Sequence, residues 1–262
     1  MRARKMMKDA ACHVLLAILS FIWILPILYV ILTSFRKEGG TYKSYIFPKE
    51  YTLDNYINLF KGNGLIDFPR WFMNTLIIAI FTMIISAFMV IAVSYVMSRL
   101  RFKMRKPFLN VALIMGMFPG FMSMIAGYYI LKGLGFLETG QLKMVALVLV
   151  YSGGAGLGFY MAKGFFDMIP RTIDEAAYID GATKWDTFIH ITIPMSKPII
   201  TYTLLTAFMG PWTDYIFAKV IMGSDTEHYT IAIGLWTMLE KEYIEYYYTQ
   251  FYAGCVVISI PL

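Results

Sequence analysis

"WFMNTLIIAIFTMIISAFMVIAVSYVM", Trp71 to Met97, contains no Asp, Glu, Lys or Arg. A bilayer hydrocarbon core about 30 Å thick is crossed by about 20 helical residues, because each residue advances about 1.5 Å. The run is longer than that and lacks the strict alternation of a barrel strand. In lipid every backbone N–H and C=O has to be paired within the segment, so the run reads as a transmembrane helix. Working outward, comparable runs occupy Ala11–Phe35, Pro107–Leu131, Lys143–Phe166 and Pro198–Met222, and a sixth starts near Tyr246. That last run is cut short at Leu262, where the helix is expected to continue past the sequence. Composition agrees: 58% of residues are hydrophobic and only 15% charged, with mean hydropathy +0.60, whereas soluble domains carry roughly a quarter charged residues. The expected fold is an all-α membrane protein of six transmembrane helices, with the lipid bilayer as its solvent.

Lys and Arg then orient the spans. The link "SRLRFKMRKP", Ser98 to Pro107, holds Arg99, Arg101, Lys103, Arg105 and Lys106 without an acid, and the N-terminal head holds Arg2, Arg4, Lys5 and Lys8 against Asp9. Both read as cytoplasmic under the positive-inside rule. By parity 36–70, 132–142 and 223–245 lie outside, and 167–197 lies inside. The basic head mimics a secretory signal, but the apolar stretch after it exceeds the ~7–15 residues of a signal core and lacks a small-residue cleavage site, so it reads as a retained first span. The net charge of +6 gathers at span ends, which argues against a nucleic-acid partner. Cys12 and Cys255 stand far apart without metal or disulfide spacing. His13, His190 and His228 are likewise scattered, so no metal site is expected.

Two spans carry internal breakers, Pro119-Gly120 and Gly210-Pro211. Both fit packing kinks, and both fit a path lined by broken helices. A polar interruption separates the fourth and fifth runs: "EAAYIDGATKWDTFIHITIP", Glu175 to Pro194. Locally it reads as two short helices. Pro170 suits a first turn, Thr172 and Glu175 have capping-box spacing, and Asp180-Gly181 supplies the turn. Thr183 with Asp186 caps the second helix, which Pro194 is expected to stop. Ala176 and Ala177 leave room for another surface to approach the backbone. Docking to a partner and lying on the membrane surface are equally compatible with this pattern.

"EAAYIDGA" followed by "ITIP" resembles the EAA loop of the permease subunits of bacterial ATP-binding-cassette importers. Glu175, Ala176, Ala177, Gly181, Ile191 and Pro194 fall on that pattern, and Ile193 stands where leucine is usual. "YTLDNYINLF", "WFMNTLIIA", "GGAGLGFYMAKGFFDMIP" and "WTDY" extend the likeness over most of the chain, to the shorter permease of maltose and maltodextrin systems. "WTDY" departs from the commoner Trp-Asn-Asp-Phe. The resemblance implies residues 1–70 as first span and external loop, and 71–262 as the permease core. It implies a coupling helix docking on a cytoplasmic ATPase, with Glu175, Ala176, Ala177, Asp180, Gly181, Ile191 and Pro194 as the coupling residues. It further implies a homologous second permease, two ATPase subunits that use ATP and Mg, an extracytoplasmic sugar-binding protein, and a bacterial inner or plasma membrane location. No cofactor is expected on this chain.

Gly154, Gly158 and Ala162 recur at four-residue spacing and read as small-residue helix packing. No Gly-Lys-Ser/Thr follows them, and the chain nowhere contains a P-loop, so it is not expected to be an enzyme that hydrolyses ATP. Asp214 and Lys219 in the fifth span need water or a partner. Trp212, Asp214 and Tyr215 are therefore candidates for a sugar path, with contact to a second permease as the alternative. The external loop after Met222 is rich in tyrosine; Tyr229 and Trp236 are candidates for touching the binding protein, and an interfacial aromatic belt is the alternative. A membrane-embedded enzyme would need a catalytic cluster, yet GxSxG, HExxH and paired intramembrane aspartates are absent. An ion-coupled transporter would work without an ATPase.

Overall fold

The computed structural model describes residues 2–41, 45–153 and 156–262; side chains of 2–7, 156 and 157 fall outside that description. Gly154, and the side chains of Arg2, Arg4 and Lys5, lie outside the described residues. The chain is helical, as the long apolar runs dictate, and among the described residues the only β pairing is an isolated bridge between Arg36 and Tyr51. It divides into two compact units, Met1–Pro69 with Gly234–Leu262, and Arg70–Ile233.

In the first unit α1 (Arg2–Ser34) and α2 (Asp54–Lys61) pack on the last helix, Ile244–Ile258. The apolar side chains of α1 from Val14 to Leu28 are exposed, as lipid-facing side chains are. Its C-terminal end is closed by polar groups. The buried Arg36 donates to the carbonyls of Tyr45 and Ile46 at 3.2 and 3.0 Å. Asn55 donates to the carbonyls of Ser34 and Arg36 at 2.9 and 2.7 Å, and accepts from Thr249 at 2.9 Å. Gly254 permits close packing here: a Cβ would meet Leu235 at 2.5 Å and Phe68 at 3.3 Å.

The second unit holds most of α3 (Phe68–Arg99), then α4 (Arg105–Gly116), α5 (Gly120–Gly133), α6 (Gly140–Gly153) and α7 (Gly156–Met168). The loop helices α8 (Arg171–Ile179), α9 (Lys184–Thr187) and α10 (Ile193–Met195) follow, then α11 (Lys197–Thr213) and α12 (Ile216–Met222). α13 (Ile231–Met238) leads toward α14 (Ile244–Ile258). Among the described residues Lys8–Ser34 and Phe68–Arg99 each suffice by length and composition to cross a membrane, and α4–α5 and α6–α7 raise the number to four if each bent pair is one span. The third expected run is bent by 100° at Met117–Pro119, where Pro119 (ψ 133°) leaves helical backbone just before α5. In the fifth, Pro211 stays inside α11, and the break falls at Asp214 (φ −83°, ψ 111°). Proline removes an N–H that would pair four residues back, but so near the helix end that lost bond does not interrupt α11. Gly158 and Ala162 do pack small surfaces: a Cβ on Gly158 would touch Val90 at 3.5 Å, and Ala162 is buried with Val90 and Phe159.

Candidate functional site

The loop joining α7 to α11 is built from its ends inward. Pro170 is the N-cap of α8 rather than a first-turn residue, so Thr172 falls inside the helix and forms no capping box with Glu175. The other end is as expected. Gly181 takes φ +87°, Ala182 N–H donates to Ala177 O at 2.9 Å and Gly181 N–H to Tyr178 O at 3.1 Å. That pair of bonds satisfies the last carbonyls of α8, with glycine at the left-handed position. Thr183 then caps α9: Asp186 N–H donates to its hydroxyl at 3.1 Å and Thr183 N–H to the Asp186 carboxylate at 2.9 Å. Bonds from the Thr183 hydroxyl and backbone hold that carboxyl below the ordinary aspartate range. Pro194 does not stop the second helix. A π turn over Phe188–Thr192 carries the chain through, with Ile193 N–H donating to Phe188 O. The wider turn accommodates a residue that lacks the N–H an α-helix needs.

Exposure divides α8 by face. Thr172, Glu175, Ala176 and Ile179 are exposed at i, i+3, i+4 and i+7, with Ile179 at 86%. Asp180 and Gly181 extend that exposed face, whereas Ala177 and Ile191 are half-buried and Pro194 is exposed. The opposite face is tied to α3. Asp174 is buried against Arg99, Nε to Oδ2 at 3.3 Å, with side-chain exposures of 9% and 5%. Arg99 also donates to Ile169 O at 3.1 Å, and Arg171 donates to Ser98 O at 3.2 Å. Ser98 donates to Asp167 at 2.6 Å, and Tyr95 donates to Lys184 O at 3.1 Å. Three positions in the last turns of α3, Tyr95, Ser98 and Arg99, therefore grip both arms of the loop. Sequence reading missed this grip: Arg99 stood among five basic residues as an orientation signal, and Asp174 was not singled out.

The two helix breaks open onto one cavity of about 510 Å³. Gly120 and Phe121 line it from the α4–α5 bend, and Gly210, Asp214 and Ile216 from the α11–α12 break. Its polar centre is Tyr151 on α6, whose hydroxyl donates to Asp214 Oδ2 at 2.7 Å, while Asp214 Oδ1 accepts from Phe217 N–H at 3.1 Å. Of the three expected path residues only Asp214 lines this cavity. Tyr215 is half-buried, and Trp212 is buried at 2% exposure, its ring 5.0 Å from that of Phe72 and 5.8 Å from Phe208. Tyr151 gave no motif signal, and only proximity in space identifies it.

Beyond α12, Lys219 finds its partner in Tyr229, whose hydroxyl accepts from Nζ at 2.7 Å and donates to Gly223 O at 3.1 Å. Tyr229 is thus buried as a support. Asn74 donates to the carbonyls of Glu227 and Tyr229 at 3.0 and 3.1 Å, pinning this loop to α3. Trp236 is 50% exposed.

The family described as "Binding-protein-dependent transport system inner membrane component" matches residues 91–262. The chain is 34% identical over 263 residues to the galactooligosaccharides transport system permease protein GanQ of Bacillus subtilis (strain 168), covering 100% of this chain and 91% of that one. It is 31% identical over 258 residues to the maltodextrin transport system permease protein MdxG of the same organism, covering 98% and 90%. Its fold is shared with a chain from the crystal structure of a bacterial ABC transporter involved in the import of the acidic polysaccharide alginate, at TM-score 0.78 and 19% identity, covering 96% of this chain and 91% of that chain.

Proposed function

From a chain that belongs to the family of binding-protein-dependent transport system inner membrane components, we infer the membrane-spanning subunit of an ATP-driven oligosaccharide importer. Its cargo is an oligosaccharide, with a maltodextrin as the first candidate. Relatives named for galactooligosaccharide and maltodextrin transport support that class. The subunit sits in a bacterial inner or plasma membrane with its N-terminus and the 167–197 loop in the cytoplasm, which the basic residues at span ends support. It pairs with a homologous second permease and two cytoplasmic ATPases that use ATP and Mg, and it receives sugar from an extracytoplasmic binding protein. Trp236 is the proposed contact with that protein, while Tyr229, bonded to Lys219 and Gly223, supports its own loop. Asp214 is the proposed polar contact of the path; Trp212, buried between Phe72 and Phe208, and the half-buried Tyr215 pack behind it and do not line the cavity.

The loop is the lever. Glu175, Ala176, Asp180 and Gly181 face outward for the ATPase, and Ala177, Ile191 and Pro194 shape the surfaces beneath and beyond them. The observation that carries this reading is the division of α8 into an exposed docking face and a face bound to α3 through Arg99 and Asp174. A push on the exposed face then reaches α3 as well as α7 and α11.

Gly181 gives a direct test. Nothing lies within 4 Å of a Cβ added there, so a side chain meets backbone strain at φ +87° and no clash; that strain is about 1–2 kcal/mol. In the complex reconstituted with its ATPases and binding protein, Gly181→Val is expected to lower maltodextrin uptake about tenfold while ATP hydrolysis persists. Unchanged uptake per ATP hydrolysed refutes the lever.

A further inference from the structure

A nearly wholly apolar groove of about 660 Å³ runs between α3 and the second arm of the loop. Phe88, Ala92, Val96 and Leu100 line one wall and Trp185 and Phe188 the other. From Leu100 back to Phe88 is about 18 Å along the helix at 1.5 Å per residue, a depth that leads from the end of a span into the bilayer. Phe88 and Trp185 are exposed at 70% and 68%. The groove ends in positive charge. Lys184 is among the residues that line it, and the chain passes from Leu100 directly into a second hollow, of about 410 Å³, lined by Arg101, Lys103, Arg105 and Lys106. Among the described residues Lys184, Arg101, Lys103 and Lys106 make no ion pair.

We propose that this groove and hollow together bind an anionic phospholipid, one acyl chain along α3 and the phosphate among Lys184, Arg101 and Lys103. A basic pocket at a span end attracts an anionic headgroup, and each cation near the surface strengthens that attraction. Charge complementarity selects this occupant over a helix of another subunit, because an apolar helix leaves the row of cations unanswered. Trp185, beside Lys184 in the groove lining, has the amphipathic ring that suits headgroup depth. The site abuts the α3 grip on the loop, so an occupied groove would stiffen the junction through which the lever acts.

The test is lipid retention, read by native mass spectrometry on the assembled complex taken from bilayers of phosphatidylcholine with phosphatidylglycerol, or of phosphatidylcholine alone. Wild type is expected to retain phosphatidylglycerol in preference. The exposed triple variant Arg101→Gln, Lys103→Gln, Lys184→Gln should lower that retention about tenfold, with phosphatidylcholine retention unchanged. Ala92→Trp should lower retention of both lipids by filling the groove; if it does not assemble, the triple variant decides alone. Equal retention of the two lipids by wild type, or undiminished phosphatidylglycerol in the triple variant, overturns the proposal. So does efficient crosslinking of Phe88→Cys to the second permease, which makes the occupant a protein. Because lipid is measured and sugar is not, the outcome is independent of whether maltodextrin is the cargo.

Discussion

Arg99 and Asp174 are 75 positions apart, yet their side chains are both almost fully removed from solvent. A buried ion pair adds little net stability, because desolvation offsets its attraction, but removing one member strands the other charge at a cost of about 3–5 kcal/mol. Arg99→Ala or Asp174→Ala alone is therefore expected to lower the thermal midpoint of the complex sharply and to impair coupling. Arg99→Met with Asp174→Leu should recover most of the stability, since a well-packed apolar pair is often neutral or better. If the bond is also the transmission link, the apolar pair will remain poorly coupled. A double-mutant cycle on unfolding checks the contact: an interaction energy below about 0.5 kcal/mol means that the two residues act independently. Nothing in the sequence pointed to this pair. Positive-inside counting sees Arg99 as a charge near a span end, and no periodicity links it to an acid so far along the chain.

At the level of elements, the sequence read best where the chemistry is local. Thr183 and Asp186 form the reciprocal cap that their three-residue spacing implies, and Gly181 takes the left-handed turn after Asp180. Where a neighbour could change the outcome, spacing misled. Thr172 and Glu175 have the same spacing but lie inside α8 because Pro170 has already taken the capping position. Pro194 is bridged by a π turn that single-residue rules do not anticipate. The surviving cap has a pH signature. Thr183 holds the Asp186 carboxyl below its ordinary range, so its stabilisation is complete above the unfolded value near pH 4 and is lost as pH falls through the lower folded value. Amide-exchange protection across the first turn of α9 is expected to drop several-fold from about pH 5 to about pH 3. In Thr183→Ala it should start low and change little. Equal pH responses in the two proteins would show that the carboxylate does not hold that turn.

For the molecule as a whole, apolar run length made the helical membrane class legible, and charge at span ends gave an orientation. The bends were legible only in part. Pro119-Gly120 marks its break, whereas the α11–α12 break lies at Asp214, just past Pro211. That displacement matters because it puts a carboxylate on the cavity wall, opposite a tyrosine that only the fold could bring there. Asp214 uses one oxygen to hold the first turn of α12 and the other to accept from Tyr151. On the proposed path reading the second oxygen is the one a sugar hydroxyl would share, with Tyr151 holding the carboxylate on the cavity wall. Tyr151→Phe removes a bond to a charged group, a loss of about 1.5–3 kcal/mol. The expected result is a KM for sugar uptake raised by about tenfold or more, with basal ATP hydrolysis and complex assembly unchanged. Asp214→Asn should raise KM further, since it replaces an acceptor-only group by an amide whose orientation Tyr151 and Phe217 must share. A merely structural role predicts the reverse pattern, a fall in assembled complex with KM unmoved. Measuring both quantities in the same vesicles separates a path residue from a packing residue.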